Sequence, residues 1–220
     1  MAGRTAIRTS AGAAKPAGPH FKAERRLMRA GYRRIAGLDE VGRGPLAGPV
    51  VAAAVVLDPK NVPAGIDDCK ALTAQRREAL YAELLRSADI AVAYCSTATV
   101  DRINVLRASL LAAERALAAL PSPADAALID GRDLPAGLCV PCEAIIGGDA
   151  SSLSIAAASI VAKVCRDRMM AACDASFAGY GLASHKGYAT AGHRAALVSL
   201  GPSRLHRQSF APVAACLAAK

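Results

Sequence analysis

The sequence has no tryptophan, three phenylalanines and five tyrosines, and no uncharged apolar run close to the roughly 18 residues that cross a bilayer. A membrane-spanning helix is therefore not expected, and no membrane partner is read from the sequence. The first residues lack the apolar core of a secretory signal, so export is not expected either. The seven cysteines are odd in number and scattered. Only Cys139 and Cys142 show a C-x-x-C spacing, with no second pair and no histidine nearby. That excludes a regular disulfide framework and argues against structural zinc. Most of the cysteines are expected to be small buried hydrophobes in a reducing compartment, which places the chain in the cytoplasm.

What is present points to a globular chain with a basic leader. The chain has 220 residues, 53% of them hydrophobic and many of them alanine. That is enough for one sizeable core, or one core with a small appendage. Its net charge of +9 is uneven. Residues 1–34 hold nine Lys or Arg against one acid, Glu24, whereas the remainder is nearly neutral. A basic arm on a near-neutral body fits contact with nucleic acid. Residues 1–20, with their small residues and Pro16 and Pro19, are expected to be a disordered arm, and residues 21–220 a single domain. An arginine-rich, acid-poor leader also has the composition of an organelle transit peptide, which stands as the alternative.

Along the chain, residues 21–31 read as a short amphipathic helix. Residues 33–39 and 49–57 read as strands joined in a hairpin. Thr73 is expected to cap a helix to about Arg86, with Leu80, Leu84 and Leu85 facing inward. Ile90 to Ser96 reads as a third strand. Thr99 is then expected to cap one helix carrying Ile103, Leu106, Leu110 and Leu117 at helical spacing. Ala126 to Ile129 and Glu143 to Ile146 complete the strands. Ser152 to Ala175 reads as a long helix, and a last helix follows Thr190 and stops at Gly201-Pro202. The expected class is α/β, a mixed sheet flanked by helices with a helical C-terminal part.

The candidate chemistry centres on residues 35–50. An apolar run leads into Asp39 and Glu40, a glycine-rich turn carries Arg43, and a second apolar run follows. An ionised carboxylate at the end of a buried strand needs compensation, commonly a cation or a metal. Backbone N–H groups and a guanidinium in the turn suit a phosphate or a sugar–phosphate backbone. Asp130 and Asp149 also follow apolar runs. If the strand ends converge, these four acids meet on one rim, where like charges cannot all stay ionised without a counter-charge. An all-oxygen set selects magnesium or manganese, and two such ions suit in-line attack on phosphorus. The plainer reading is that each acid caps a turn or a helix, Asp149 above all. Gly42 to Ala47 also fits G-x-G-x-x-A, but Pro45, Gly48 and Pro49 followed by a valine-rich strand exclude the helix that dinucleotide binding requires.

Six ordered blocks carry a resemblance. They are Gly37-Leu38-Asp39-Glu40-Val41-Gly42-Arg43-Gly44, Leu128-Ile129-Asp130-Gly131, Gly148-Asp149, Ala157 to Val164 with Arg166-Asp167-Arg168, His185-Lys186-Gly187-Tyr188, and His206-Arg207-Gln208-Ser209-Phe210. Together, over about residues 32 to 213, the chain resembles type 2 ribonuclease H (ribonuclease HII). The resemblance implies an RNase H-like fold and a metal-dependent endoribonuclease using Mn2+ or Mg2+, two ions during catalysis. It implies cleavage of RNA in RNA–DNA hybrids and incision 5′ of single ribonucleotides in duplex DNA, leaving 3′-hydroxyl and 5′-phosphate ends; a monomer is expected. Asp39, Glu40, Asp130 and Asp149 match the family's metal-binding acids. Gly42, Arg43 and Gly44 match the turn that meets the 2′-hydroxyl and adjoining phosphates, and Tyr188 the tyrosine at the junction sugar. Cys69 stands where the family usually has serine, beside Lys70, which is expected to reach a phosphate. Lys163 and Arg166 are expected along the DNA path or in helix ion pairs. His206 and Arg207 are expected to order the C-terminal segment or to touch the backbone, and His185 is expected to be structural. The rivals are a type 3 ribonuclease H, disfavoured by the short stretch ahead of Ile35, and a hybrid-binding protein without activity.

Overall fold

Strand β2 (Val50–Leu57) is buried along its whole length because helices cover both faces of the sheet it runs through. A computed structural model describes residues 18–218. The expected basic arm therefore lies, over residues 1–17, outside the described residues. Helix α1 (Lys22–Arg29) leads into β1 (Ile35–Val41), and β2 returns antiparallel to it as the expected hairpin. Helix α2 (Ala74–Ser87) and strand β3 (Ala88–Cys95) follow, then α3 (Thr97–Ile103) and α4 (Val105–Ala118). Strands β4 (Ala126–Asp130) and β5 (Cys142–Ile145) complete a five-stranded sheet of order β3-β2-β1-β4-β5. Strand β4 lies parallel to both β1 and β5, so the sheet is mixed and the class is as expected. A 3-10 turn at Gly148–Ala150 precedes the long α5 (Leu153–Ser176). Then come α6 (Leu182–His185), α7 (Ala191–Leu200) and α8 (Ala211–Ala218). Among the described residues no helix is long and apolar enough to cross a membrane.

Alternation along β2 divides the core. Val50, Ala52, Ala54 and Val56 cluster with Ala108, Ala112, Ala113 and Ala116 of α4. Ala53, Val55 and Leu57 cluster with α2 and with Ala156, Ala157, Ile160 and Val161 of α5. Small side chains let α5 lie close to the sheet, and Gly37 permits the closest approach. A Cβ there would fall inside the backbone of Ser154 and Ile155. The start of α5 is fastened by Glu24 of α1, which is buried. Its Oε1 accepts from Ser152 Oγ at 2.6 Å, Ser154 N at 2.9 Å and Ser154 Oγ at 2.7 Å. A negative charge is favourable at a helix N-terminus, and here it ties α1 to the segment after Asp149.

Several details of the helices differ from expectation. The helix expected to start at Thr99 is two helices. Ser96 caps α3, with Thr99 N donating to its Oγ, and Asn104, at φ 67°, ends α3 and caps α4 through Arg107 N. The inner face of α4 is its alanine stripe, while Leu106 is exposed. A sheet lined by Ala52 and Ala54 draws the helix in too closely for leucine. On α2, Thr73 caps as expected, but Leu85 is exposed and only Leu80 and Leu84 are buried. The helix after Thr190 is not the last, since α8 follows it.

Candidate active site

Parallel pairing brings two of the acids to one rim. Leu38 of β1 is in register with Ile129 of β4, so the next residues, Asp39 within β1 and Asp130 at the end of β4, lie side by side on adjacent strands. Side chains alternate, so these two emerge on the α5 face and Glu40 on the opposite one, where Arg43 Nη1 meets its Oε1 at 3.2 Å. The turn after β5 carries Asp149. Asp130 Oδ1 accepts from Gly148 N at 2.7 Å, which ties that turn to the end of β4. Ser152 caps α5, so Asp149 does not serve as its cap.

The charges are mutually unfavourable. Burial, with Glu40, Asp130 and Asp149 adding to it, holds the Asp39 carboxyl well above the usual carboxylate range. Burial also raises Glu40, opposed by Arg43, and raises Asp130, with Asp149 adding to it. Lys70 Nζ donates to Asp149 Oδ2 at 2.7 Å, and this bond raises the lysine's own pKa. Among the described residues no group of three His, Cys, Asp or Glu side chains is drawn tight enough to form a ready-made metal cage. The donors are nonetheless all oxygen, they repel one another and they attract a cation. That chemistry fits a hard divalent ion.

The glycine turn is braced by two buried arginines. Arg207 Nε donates to Gly48 O at 3.0 Å, Nη1 to Arg43 O at 2.9 Å, and Nη2 to Gly42 O at 2.5 Å and Gly48 O at 2.8 Å. Arg166 Nε donates to Pro49 O at 3.0 Å, Nη2 to Ala47 O at 3.2 Å and Nη1 to Lys186 O at 3.0 Å. Both side chains are fully buried, and burial lowers Arg207 to about 10. This corrects the expectation that Arg166 lines a DNA path, because its guanidinium is spent on loop carbonyls. Gly42 sits at φ 95°, and a Cβ there would strike Arg166. Arg43 and Gly44 are exposed at the tip. Lys163 takes the other course foreseen for it, an i,i+4 ion pair with Asp167 at 2.8 Å. Cys69 is buried, and its backbone N–H reaches Ser159 Oγ at 3.4 Å.

Tyr188 is 42% exposed, and its Cε1 lies 3.9 Å from where a Cβ on Gly44 would stand. The tyrosine ring and the turn thus share one surface. Beneath them lie three histidines. His185 stacks on His193 with ring centroids 4.3 Å apart, and His193 Nε2 meets His206 Nε2 at 3.1 Å. Burial, with His193 adding to it, lowers His206 to about 4, and burial also lowers His193. An unfolded histidine titrates near 6.5. The depressed folded value therefore contributes stability that is full above about pH 6.5 and lost as pH falls toward about 4. For His206 that is on the order of 3 kcal/mol. Urea unfolding at pH 7 and pH 4.5 is expected to show a smaller acid loss in His206→Gln than in the parent protein. Equal losses would contradict the assignment.

Glu24 and His193 were not read as site supports, and His206 and Arg207 were expected only to order the C-terminal segment or to touch the backbone. A lone arginine or histidine in sequence carries no sign that distant loop carbonyls will bury it. The only signal was that His206 and Arg207 lie in an ordered motif. The comparisons with known proteins agree with the geometry. A family model described as ribonuclease HII matches residues 36–213. The chain is 57% identical over 197 residues to ribonuclease HII of Rhodopseudomonas palustris (strain BisA53), covering 90% of this chain and 70% of that protein. The crystal structure of the ribonuclease H2 from Pyrococcus horikoshii OT3 superposes with a TM-score of 0.70 at 25% identity, over 84% of this chain and 97% of that one. Bst-RNase HIII in complex with Mn2+ shares the fold, with a TM-score of 0.68 at 19% identity, over 96% of this chain and 78% of that one. With a mixed β3-β2-β1-β4-β5 sheet, neighbouring acids on its adjacent strands β1 and β4 and a family match over most of its length, this chain belongs to the ribonuclease HII family and is an endoribonuclease.

Proposed function

We propose that the rim formed by Asp39, Glu40, Asp130 and Asp149 hydrolyses the RNA strand of RNA–DNA hybrids and also incises duplex DNA on the 5′ side of a single ribonucleotide. The products are a 3′-hydroxyl and a 5′-phosphate. The observation that supports this most is the parallel pairing that sets Asp39 of β1 beside Asp130, the last residue of β4, on a chain whose Gly44 and Tyr188 share one surface. Asp39, Glu40, Asp130 and Asp149 are the residues that would hold Mn2+ or Mg2+, one ion or two. Mn2+ accompanies the structural relative Bst-RNase HIII. Bound there, a divalent ion supplies Lewis acidity at the scissile phosphate.

The protein's own groups do the rest. The turn of Gly42, Arg43 and Gly44 presents backbone and a guanidinium to the ribose and its phosphates. The 2′-hydroxyl, which both donates and accepts, is the local feature that marks a ribonucleotide. Tyr188 packs against the sugar of the next nucleotide, where a hydroxyl clashes with its ring. Lys70 pairs with Asp149 and keeps 76% of its side chain exposed, which supports its reaching a phosphate. The enzyme works as a monomer, and its free cysteines suit a reducing compartment such as the cytoplasm. Tyr188→Ala is expected to slow incision at a lone ribonucleotide by about tenfold more than cleavage of a long hybrid, the scale of a packing contact of 1 to 2 kcal/mol. Rates on the two substrates at equal enzyme concentration check this, and equal loss on both removes the junction role.

A further inference from the structure

We infer that His193 is a positioning residue for Tyr188, acting through the hydrogen bond from its Nδ1 to the Tyr188 carbonyl. The inference rests on the reading that Tyr188 tests the junction sugar.

The tautomers follow from the partners. His193 Nδ1 lies 2.9 Å from Tyr188 O, and a carbonyl only accepts, so Nδ1 carries the proton. Neutral His193 then has a bare Nε2, which accepts from His206 Nε2–H at 3.1 Å. His206 Nδ1 is in turn bare and accepts from Ser203 N at 3.0 Å. His185 obeys the same logic. Its Nε2 donates to Tyr180 O at 2.7 Å and its Nδ1 accepts from Gly187 N at 3.2 Å. The partners therefore fix one neutral tautomer for each of the three rings, and each hydrogen bond has one direction. The chain runs from Ser203, through His206 and His193, to the backbone of Tyr188.

That backbone needs holding. Lys186, at φ 53°, and Gly187, at φ 86°, are consecutive left-handed residues immediately before Tyr188, and left-handed geometry in a non-glycine residue is strained. Each carbonyl of the segment is claimed. Arg166 Nη1 binds Lys186 O, Leu46 N binds Gly187 O at 2.9 Å, and Thr190 N together with His193 Nδ1 binds Tyr188 O. The first two tie the segment to the body of the protein and to the glycine turn. Of these donors His193 is the side chain that reaches the tyrosine itself. Its ring is fully buried, so the bond is shielded from water. Without it, the exposed ring of Tyr188 keeps its identity and loses its fixed height above Gly44.

The test uses two substitutions that each keep half of the imidazole. The amide of asparagine stands where Nδ1 stands and can donate to the Tyr188 carbonyl. The amide of glutamine reaches where Nε2 stands and can meet only His206. His193→Gln is expected to lower the ratio of lone-ribonucleotide incision to long-hybrid cleavage by about tenfold, the loss of one shielded hydrogen bond. His193→Asn is expected to keep that ratio within about twofold. Both substitutions remove the ring stacked on His185, so melting temperatures taken alongside are expected to fall together, which separates positioning from stability. A ratio unchanged in His193→Gln, or lowered equally in both variants, overturns the inference. Tyr188→Ala is run as the control. If it loses both substrates equally, the reading of Tyr188 itself fails. If it loses the ratio while His193→Gln does not, only the role of His193 fails.

Discussion

Asp39→Asn is expected to lower the cleavage rate by about 10^3-fold or more while leaving the protein at least as stable as the parent. The two effects have one cause. Asp39 is almost fully buried, beside Glu40, Asp130 and Asp149, and its carboxyl is held well above the usual range, by burial first and by those neighbours next. A carboxyl whose folded pKa is raised opposes folding once pH rises above its ordinary value near 4, because the unfolded chain ionises more easily. Asparagine has the same shape and no charge, so it relieves that opposition. It also removes one of the four carboxylates proposed to attract a divalent ion, and several kcal/mol of charge stabilisation at 1.36 kcal/mol per decade gives the expected rate loss. Single-turnover cleavage and thermal melting on the same preparations check both halves. Cleavage within tenfold of the parent rate, or a marked loss of stability, contradicts the account.

Arg207→Ala is expected to be the most destabilising single substitution at the site, by about 3 kcal/mol or more. The guanidinium satisfies the carbonyls of Gly42, Arg43 and Gly48, and Phe210 lies under it at 5.1 Å from the ring centroid. Truncation leaves buried acceptors unpaired at about 1–3 kcal/mol each, partly relieved by relaxation, and it opens a void. At about 2–4 °C per kcal/mol for a chain of this size, the melting temperature is expected to fall by roughly 6–12 °C. Arg207→Lys is expected to recover only part of this, since one ammonium cannot reproduce the planar fork that serves several carbonyls. Because Arg207 braces the turn and not one nucleotide, both the lone-ribonucleotide and the hybrid activities are expected to fall together. A melting temperature within 2 °C of the parent contradicts the bracing role.

These expectations mark what could be read in advance. The hairpin of β1 and β2, the β4 strand ending in an acid and the long α5 followed from apolar runs and glycine punctuation, which are local signals. The grouping of Asp39 with Asp130 was also accessible, since each ends a buried run. The rest depended on contacts made only after folding. Of the residues at helical spacing, Ile103 and Leu117 pack against the core while Leu106 is exposed, because an alanine-lined sheet selects small partners. Arg166 read as a surface cation, since nothing local announces the carbonyls of Ala47, Pro49 and Lys186 that bury it. The three histidines, at 185, 193 and 206, met only through the turns around α6 and α7, where Leu46 N reaches Gly187 O and Arg207 N reaches Leu46 O. A sequence pattern places a residue on an element, whereas the burial of a polar side chain is decided by partners on other elements.

The account stands most directly on the products from a duplex DNA carrying one ribonucleotide, end-labelled and incubated with the full-length protein in Mn2+ or Mg2+. A single cut on the 5′ side of the ribonucleotide, with a 3′-hydroxyl and a 5′-phosphate, stopped by chelator and absent in Asp39→Asn, is the expected result. Cutting that continues in chelator or in Asp39→Asn, or an intact duplex under all conditions, contradicts it.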